Sequence, residues 1–377
     1  MNKADIFWQT YLNLENQAIE LSKYIFFTDE KLLIDNSGEK HESCNTQLET
    51  FSPYISDLLV SSCIQVEAIS KELYFDNGGL KTRSDSNNVY FDTDCLKFFD
   101  EKWSTSKKIV LIVAPFFNFT KDENKILKPL KEAHKPQGTY WEKAYQAVKH
   151  DRYHNLFRGN IKSFLHALAA LYLLNLYYRN NSWTISYNEL SNFDFSGGSK
   201  IFAVKPPDVD QLWYDNIPLK SDSPYLIKYT DQAYKEIQNM QQEEYNNCIK
   251  YLNAQPEYKE PAFQNLLKTE KNPKLFSVFK KLCEYRLNKK IPKTLPFETR
   301  KKRLIHCSEW NSQRHQKCKH LSESEITEEN IQQEIYNVAG DMCIEILSTY
   351  QKLAWVPKAT NSKSCRIYIP DINDQMN

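Results

Sequence analysis

FLHALAALYLLNLYY, Phe164 to Tyr178, is the most apolar stretch of the chain, and its spacing decides the fold. Phe164, Ala167, Leu168, Leu171, Leu174 and Tyr178 recur at steps of three and four, the period of one helical face. The stretch is about 15 residues long and carries His166 and Asn175, short of the roughly 18 apolar residues that a membrane-spanning helix needs. It predicts the central core helix of a mainly α protein that makes no use of a membrane. The same amphipathic pattern starts at Trp141, with a break predicted near Asn155 to Asn160.

Toward the amino terminus, Phe7, Tyr11, Leu14, Ala18, Leu21 and Ile25 keep the three-four spacing and predict a long first helix. Residues 29 to 50 are polar, with Asn36-Ser37-Gly38, and read as a loop. Ser52-Pro53 supplies an N-cap followed by proline at the first helical position. A second helix over 53–75 follows, with Ile55, Leu59, Val66, Ile69 and Leu73 on one face and Gly78-Gly79 as its stop, and it should pack on the first. Residues 80–140 read as an insertion, in which Ile109 to Ala114 is a buried strand or extended segment and Lys121 to Lys135 is charged and exposed.

Toward the carboxyl terminus, Trp183 to Tyr187 alternates, Ser196-Gly197-Gly198-Ser199 turns, and Ile201 to Val204 continues, which predicts a small β-hairpin with Tyr225 to Tyr229 as an added edge strand. Helices are then predicted over about 231–252, 261–269, 274–288 and 327–353. Three regions result: a helical bundle over 1–180, a small β element over 181–230, and a helical carboxyl-terminal region over 231–377.

The 377 residues carry 49 Lys+Arg against 48 Asp+Glu, which excludes a uniformly basic polymer binder. Only 8 are Gly, and neither a G-x-G-x-x-G nor a P-loop string occurs, which weighs against Gly-rich phosphate loops. The 9 Cys are scattered without a C-x-x-C pair, as expected of free thiols in a reducing compartment. The amino terminus lacks the uninterrupted apolar core of a signal peptide, so a cytoplasmic location is expected. Lys outnumbers Arg 40 to 9, as in the products of AT-rich bacterial coding sequences.

The near-neutral total hides a basic segment. Residues 268–320 hold 16 Lys or Arg and 4 Glu, including Arg300-Lys301-Lys302-Arg303, with Phe276, Phe279, Tyr285 and Trp310 interleaved. Cations beside aromatics suit phosphate contact and base stacking, whereas a solvated helix face with Phe276, Phe279, Leu282 and Leu287 as its core stripe explains the same spacing. His306, Cys307, His315, Cys318 and His320 are soft ligands, yet their irregular spacing does not form the paired pattern of a zinc site, and no metal or cofactor is expected.

The segment richest in chemistry is Trp141 to His154, followed by Arg158 and Asn160. As a continuous helix it would align His150, His154 and Arg158 at i, i+4 and i+8. Imidazole and guanidinium together suffice for RNA cleavage without metal, because the 2′-hydroxyl needs a base and the pentavalent phosphate a cation. The competing reading is a solvated basic helix start with a capping network. His150-x-x-x-His154 lacks the Glu after its first His that a zincin would carry.

The order of parts has a familiar look: a Trp/Tyr-containing first helix, the Ser-Pro-capped second helix with Cys63-x-x-Val66-Glu67, then Tyr145-x-x-x-Lys149-His150-x-Arg152 leading into Ala167-Leu168-Ala169-Ala170-Leu171. Over about residues 5–180 this resembles the HEPN superfamily (higher eukaryotes and prokaryotes nucleotide-binding), all-α domains of bacterial toxins, abortive-infection proteins and phage-defence systems. The resemblance implies an antiparallel helical bundle, here with an insertion, and metal-independent endoribonuclease activity. It also implies a homodimer and an antitoxin or defence partner protein. Active members carry Arg, four to six residues, then His. That spacing occurs here at Arg300–His306 and Arg314–His320, outside the resembling region, while Arg152 follows His150.

Two functions are therefore expected to compete. In the first, the protein binds or cleaves RNA in phage defence: His150 acts as base or acid, Arg152 and Lys149 stabilise phosphate charge, His154 and Arg158 position the backbone, and Arg300, Lys301, Lys302 and Arg303 extend the RNA footprint. In the second, it is a non-catalytic helical interaction or scaffold protein whose basic segment is simply solvated.

Overall fold

The computed structural model describes residues 2–30, 32–34, 40–42, 47–135, 138–213, 221–268, 274–314, 320–350 and 363–370. The first helix, α1 (Lys3–Leu21), starts where the Asn2 side chain accepts from the Ala4 N–H at 3.3 Å. Within the stretch read as a loop, β1 (Leu32–Ile34) pairs antiparallel with β2 (Lys40–Glu42), Leu33 opposite His41. Three residues per strand are too few for periodicity to register, and the second strand is wholly polar.

α2 (Pro53–Asp76) begins at the predicted cap, with Ser52 Oγ accepting from Ile55 N–H at 3.1 Å and Pro53 in the first turn. It ends in a left-handed Gly78 at φ +79°, after which the Gly79 N–H donates back to the Tyr74 carbonyl at 2.9 Å, the Schellman closure. The insertion contributes α3 (Lys97–Trp103), β3 (Val110–Ile112), α4 (Asp122–Lys125) and β4 (Ile126–Leu127). β3 is the strand read from Ile109 to Ala114, and Val110 is fully buried. The stretch from Lys121 to Lys135 is less exposed than its charge suggested: Asn124, Leu127, Leu130 and Ala133 are buried. Burial works against ionisation of Asp29, yet its carboxylate accepts from Thr120 N–H and Oγ1, Lys121 N–H and Asn124 Nδ2, and these hold its pKa down to about 2. The insertion is thereby tied to the chain that follows α1.

After α5 (Tyr140–His150), α6 (Arg152–Asn155) and a short turn, α7 (Ile161–Arg179) runs through the core. Every residue from Ala167 to Tyr177 is buried, as befits a helix that is apolar all round. α7 packs against α1, α2 and α5, and α2 also touches α1 and α5, so these four helices form one bundle.

β5 (Ser182–Ile185), β6 (Phe202–Val204), β7 (Leu226–Tyr229) and β8 (Cys365–Tyr368) complete this part of the chain. The predicted hairpin does not form. β6 instead joins β3, with Val110 between Leu127 and Val204 in the order β4-β3-β6, and β5 pairs with β8 in the order β5-β8-β7. Both sheets are antiparallel, and β7 is the edge strand read at Tyr225 to Tyr229. The alternating patterns were strands, but each found a partner distant in sequence.

Residues 1–230 with 363–377 make one compact unit, and Asp231–Ser362 the other. The second consists of α8 (Asp231–Ala254), α9 (Pro261–Leu267), α10 (Leu275–Lys290), α11 (Phe297–Arg314) and α12 (Ile331–Tyr350) around Phe263, Phe279, Leu282, Leu287, Leu304, Ile335 and Cys343. α11 was not foreseen: Lys and Arg are good helix formers, but a nearly polar helix shows little hydrophobic period. Among the described residues, no helix is long and apolar enough to cross a membrane.

Candidate functional site

α5 is built to be anchored on one side and open on the other. Thr139 and Glu142 form a capping box, Thr139 Oγ1 accepting from Glu142 N–H at 3.3 Å and Glu142 Oε2 accepting from Thr139 N–H at 2.5 Å. Trp141, Ala144, Tyr145 and Val148, spaced by three and four, are buried. Trp141 Nε1 donates to the Pro129 carbonyl at 2.8 Å and the Tyr145 hydroxyl to Glu67 Oε1 at 3.2 Å. The opposite face leaves Lys149 and His150 in solvent at the helix end.

The continuous stripe of His150, His154 and Arg158 is not present, because the helix ends at His150, earlier than predicted. Asp151 takes φ −149° and ψ 79°, and its carboxylate accepts from His154 N–H at 3.3 Å to start α6. An aspartate that bonds the backbone three residues on offers the chain an alternative to helix continuation, and here the alternative wins. A 3-10 turn over Leu156–Arg158 follows, and Asn160 Oδ1 then accepts from Ser163 N–H at 2.9 Å to begin α7.

The break creates a different constellation. His154 Nδ1 lies 2.8 Å from Asp151 Oδ2 and 3.0 Å from Oδ1, and this hydrogen bond holds the Asp151 carboxyl below its ordinary value. A ring nitrogen that donates to a carboxylate leaves Nε2 as the open nitrogen. Arg152 Nη1 is 2.7 Å from Asp57 Oδ1 on α2, an exposed pair that contributes little stability and can open to a competing anion. The Lys149 ammonium lies 5.2 Å from the Tyr145 ring and the Arg158 guanidinium 5.6 Å from the Phe157 ring. The His150 side chain is exposed and has no hydrogen-bond or ion-pair partner among the described residues.

Aromatic faces accompany these cations. Tyr153 is 90% exposed, with its ring 5.0 Å from that of His154 and nearly perpendicular to it, and Phe157 is 51% exposed. Phe51, half exposed, bridges to Asn160 through the backbone, and Asn160 Nδ2 donates to the hydroxyl of the exposed Tyr140 at 3.4 Å. Reading the sequence for cations missed Asp57, Asp151, Tyr153 and Phe157 as parts of the site. The Asp-x-x-His spacing from Asp151 was the available signal for the cap.

In the second unit, the basic tetrad sits on α11. Lys302 and Arg303 are exposed, Arg303 Nη1 donates to the Lys290 carbonyl at 2.6 Å, and the Lys301 ammonium lies 5.8 Å from the Phe297 ring. Arg300 is half-buried, and its Nε has no partner among the described residues. The stacking aromatics read from this segment need correction. Phe279 is a core residue stacked on Tyr251 at 5.7 Å, Tyr285 donates its hydroxyl to Glu260, and of the described rings only that of Phe276, 48% exposed, faces solvent broadly. The side chain of Trp310, with His315 and Cys318, lies outside the described residues. Among those described, no three His, Cys, Asp or Glu converge on a metal-sized site, and the described cysteines are free and buried apart from half-buried Cys307.

No family model, curated protein or solved structure matches the chain.

Proposed function

We propose that residues 149–158 contact single-stranded RNA and cleave it without metal, with His154 as the general base, in a HEPN-like protein of the phage-defence type. The observation that carries this reading is the His154–Asp151 pair, an imidazole oriented by a carboxylate and flanked by Lys149, Arg152 and Arg158 on an exposed turn. His154 Nε2 takes the proton of a 2′-hydroxyl, and that oxygen forms a bond to the adjacent phosphorus. The P–O5′ bond breaks, and a protonated imidazole, that of His150, returns a proton to the leaving oxygen. The product ends are a 2′,3′-cyclic phosphate and a 5′-hydroxyl. Arg152, released from Asp57, and Arg158 carry the charge of the phosphorane, and the rings of Tyr153 and Phe157 stack on flanking bases. The resemblance adds a homodimer and an antitoxin or defence protein as partners of the same reading.

The test is incubation of the full chain with total RNA and a labelled tRNA pool in EDTA. Wild type is expected to cut, and His154→Ala to lose about 10²-fold or more of the rate with folding intact. Unchanged cutting by His154→Ala together with loss in His150→Ala would move the base role from His154 to His150 as well. RNA retention without cutting would reduce the site to a binding surface, and neither retention nor cutting would leave the helical interaction protein as the function.

A further inference from the structure

The second unit holds a cavity of about 540 Å³ between the end of α10 and the middle of α11, in the size range of small-molecule sites. Its floor is apolar and soft: Leu287 is buried, and Cys307 and Met342 are partly buried. Its rim is cationic. Arg286, Lys289, Lys290 and His306 face the cavity against one lining carboxylate, Glu257.

Charge compensation there is incomplete. Glu257 is committed to Arg286 at 3.0 Å, and Lys289 to Glu260 at 2.5 Å. Arg286 is further held by Gln255 and by the Tyr251 hydroxyl, so its guanidinium is fixed before anything binds. The Lys290 ammonium and the His306 imidazole have no hydrogen-bond or ion-pair partner among the described residues, although the Lys290 carbonyl accepts from Arg303, and both side chains line the cavity. Burial pushes the Cys307 thiol up and the nearby Lys290 draws it down only in part, so Cys307 is a neutral wall whose alkylation is slow.

We propose that this cavity binds a small phosphorylated organic molecule, its phosphate on Lys290 and His306 beside the fixed Arg286 and its apolar body on Leu287, Cys307 and Met342. An inorganic anion alone would leave the floor unfilled, and a neutral apolar molecule would bury the rim cations without a counter-charge. The site uses no residue of the proposed RNA surface, so the two readings stand or fall separately.

Cys307 supplies a local readout. The full chain is titrated with ADP, pyrophosphate and adenosine, following the melting temperature and the rate of Cys307 alkylation by iodoacetamide in a peptide-resolved mass-spectrometric assay. ADP should saturate, bind more tightly than pyrophosphate and slow Cys307 labelling, while adenosine should do neither. Lys290→Glu and His306→Ala, both at exposed positions, should each weaken ADP about tenfold or more with the unliganded melting temperature unchanged, the scale of one lost charge-assisted hydrogen bond. Equal binding by wild type and both variants, equal binding of adenosine and ADP, no binding of ADP or pyrophosphate, or protection of Cys307 by an RNA oligonucleotide but not by ADP would each overturn the proposal.

Discussion

Residues 149–158 and 161–177 follow one another in the chain yet live under opposite constraints. Lys149 to Asp151, Arg152 to His154 and Arg158 are exposed, whereas Ala167 to Tyr177 is buried without interruption. The border is Gly159-Asn160. A Cβ on Gly159 would fall 2.9 Å from the Ser56 side chain and 3.0 Å from its Cα, so a residue without one lets the end of the turn close onto α2. Asn160 then caps α7. In the buried stretch each side chain is fixed by packing on every side. In the exposed one, a single side-chain-to-backbone bond from Asp151 decides where the helix ends and which imidazole gains a carboxylate.

The strongest way to break this contrast is to truncate α7. Leu171 is fully buried where α7 meets its neighbours, and Leu171→Ala should cost about 2–5 kcal/mol in urea unfolding, from lost apolar burial plus the cavity left behind. A loss below about 1 kcal/mol would mean that the helix is not close-packed, and the contrast with the exposed turn would collapse.

A smaller, pH-dependent effect sits at the start of α5. Burial pushes the Glu142 carboxyl up to about 7 from an ordinary 4.5, against the two Thr139 hydrogen bonds that pull it down. The folded state therefore holds a proton that the unfolded state has released between about 4.5 and 7. The contribution of this group is fully present below 4.5 and fades as pH rises through 7, where a buried charge must be carried. Glu142→Gln should match wild type near pH 4.5 and exceed it at pH 8 by about 1–3 kcal/mol. An equal difference at both pH values would show that the capping bond, not the charge, dominates.

What was legible in the sequence follows the same division. α2 with its Ser52 cap and Gly78-Gly79 stop, and α7 with its apolar face, were readable because burial and capping act over a few neighbouring residues. The partners of β5 and β6 were not, since nothing local in Ser182–Ile185 points to Cys365–Tyr368. α11 was missed because its charge masked its period, although buried Leu304 does anchor it. At the candidate site, the cations could be gathered from composition. Their arrangement could not, because it turns on whether Asp151 extends α5 or caps α6, two local outcomes that compete for the same residue.

The smallest expected effect on stability is also the most direct probe of the exposed stretch. Tyr153 is 90% exposed and touches the His154 ring edge-on, so Tyr153→Ala removes almost no buried surface and should leave the urea midpoint unchanged. If the ring is a stacking platform, the same variant should weaken retention of a single-stranded RNA oligonucleotide by about 1–3 kcal/mol, roughly five- to 150-fold, in filter binding. Tyr153→Phe, which keeps the π-face and loses only the hydroxyl, should bind as wild type does. Leu171 would then matter to folding and Tyr153 to RNA alone, which is what separate constraints on neighbouring stretches require. Retention unchanged in Tyr153→Ala would leave the ring without a role in RNA contact, and the cations around it would have to hold the strand by phosphate contact only, with a correspondingly steep loss of binding as salt rises.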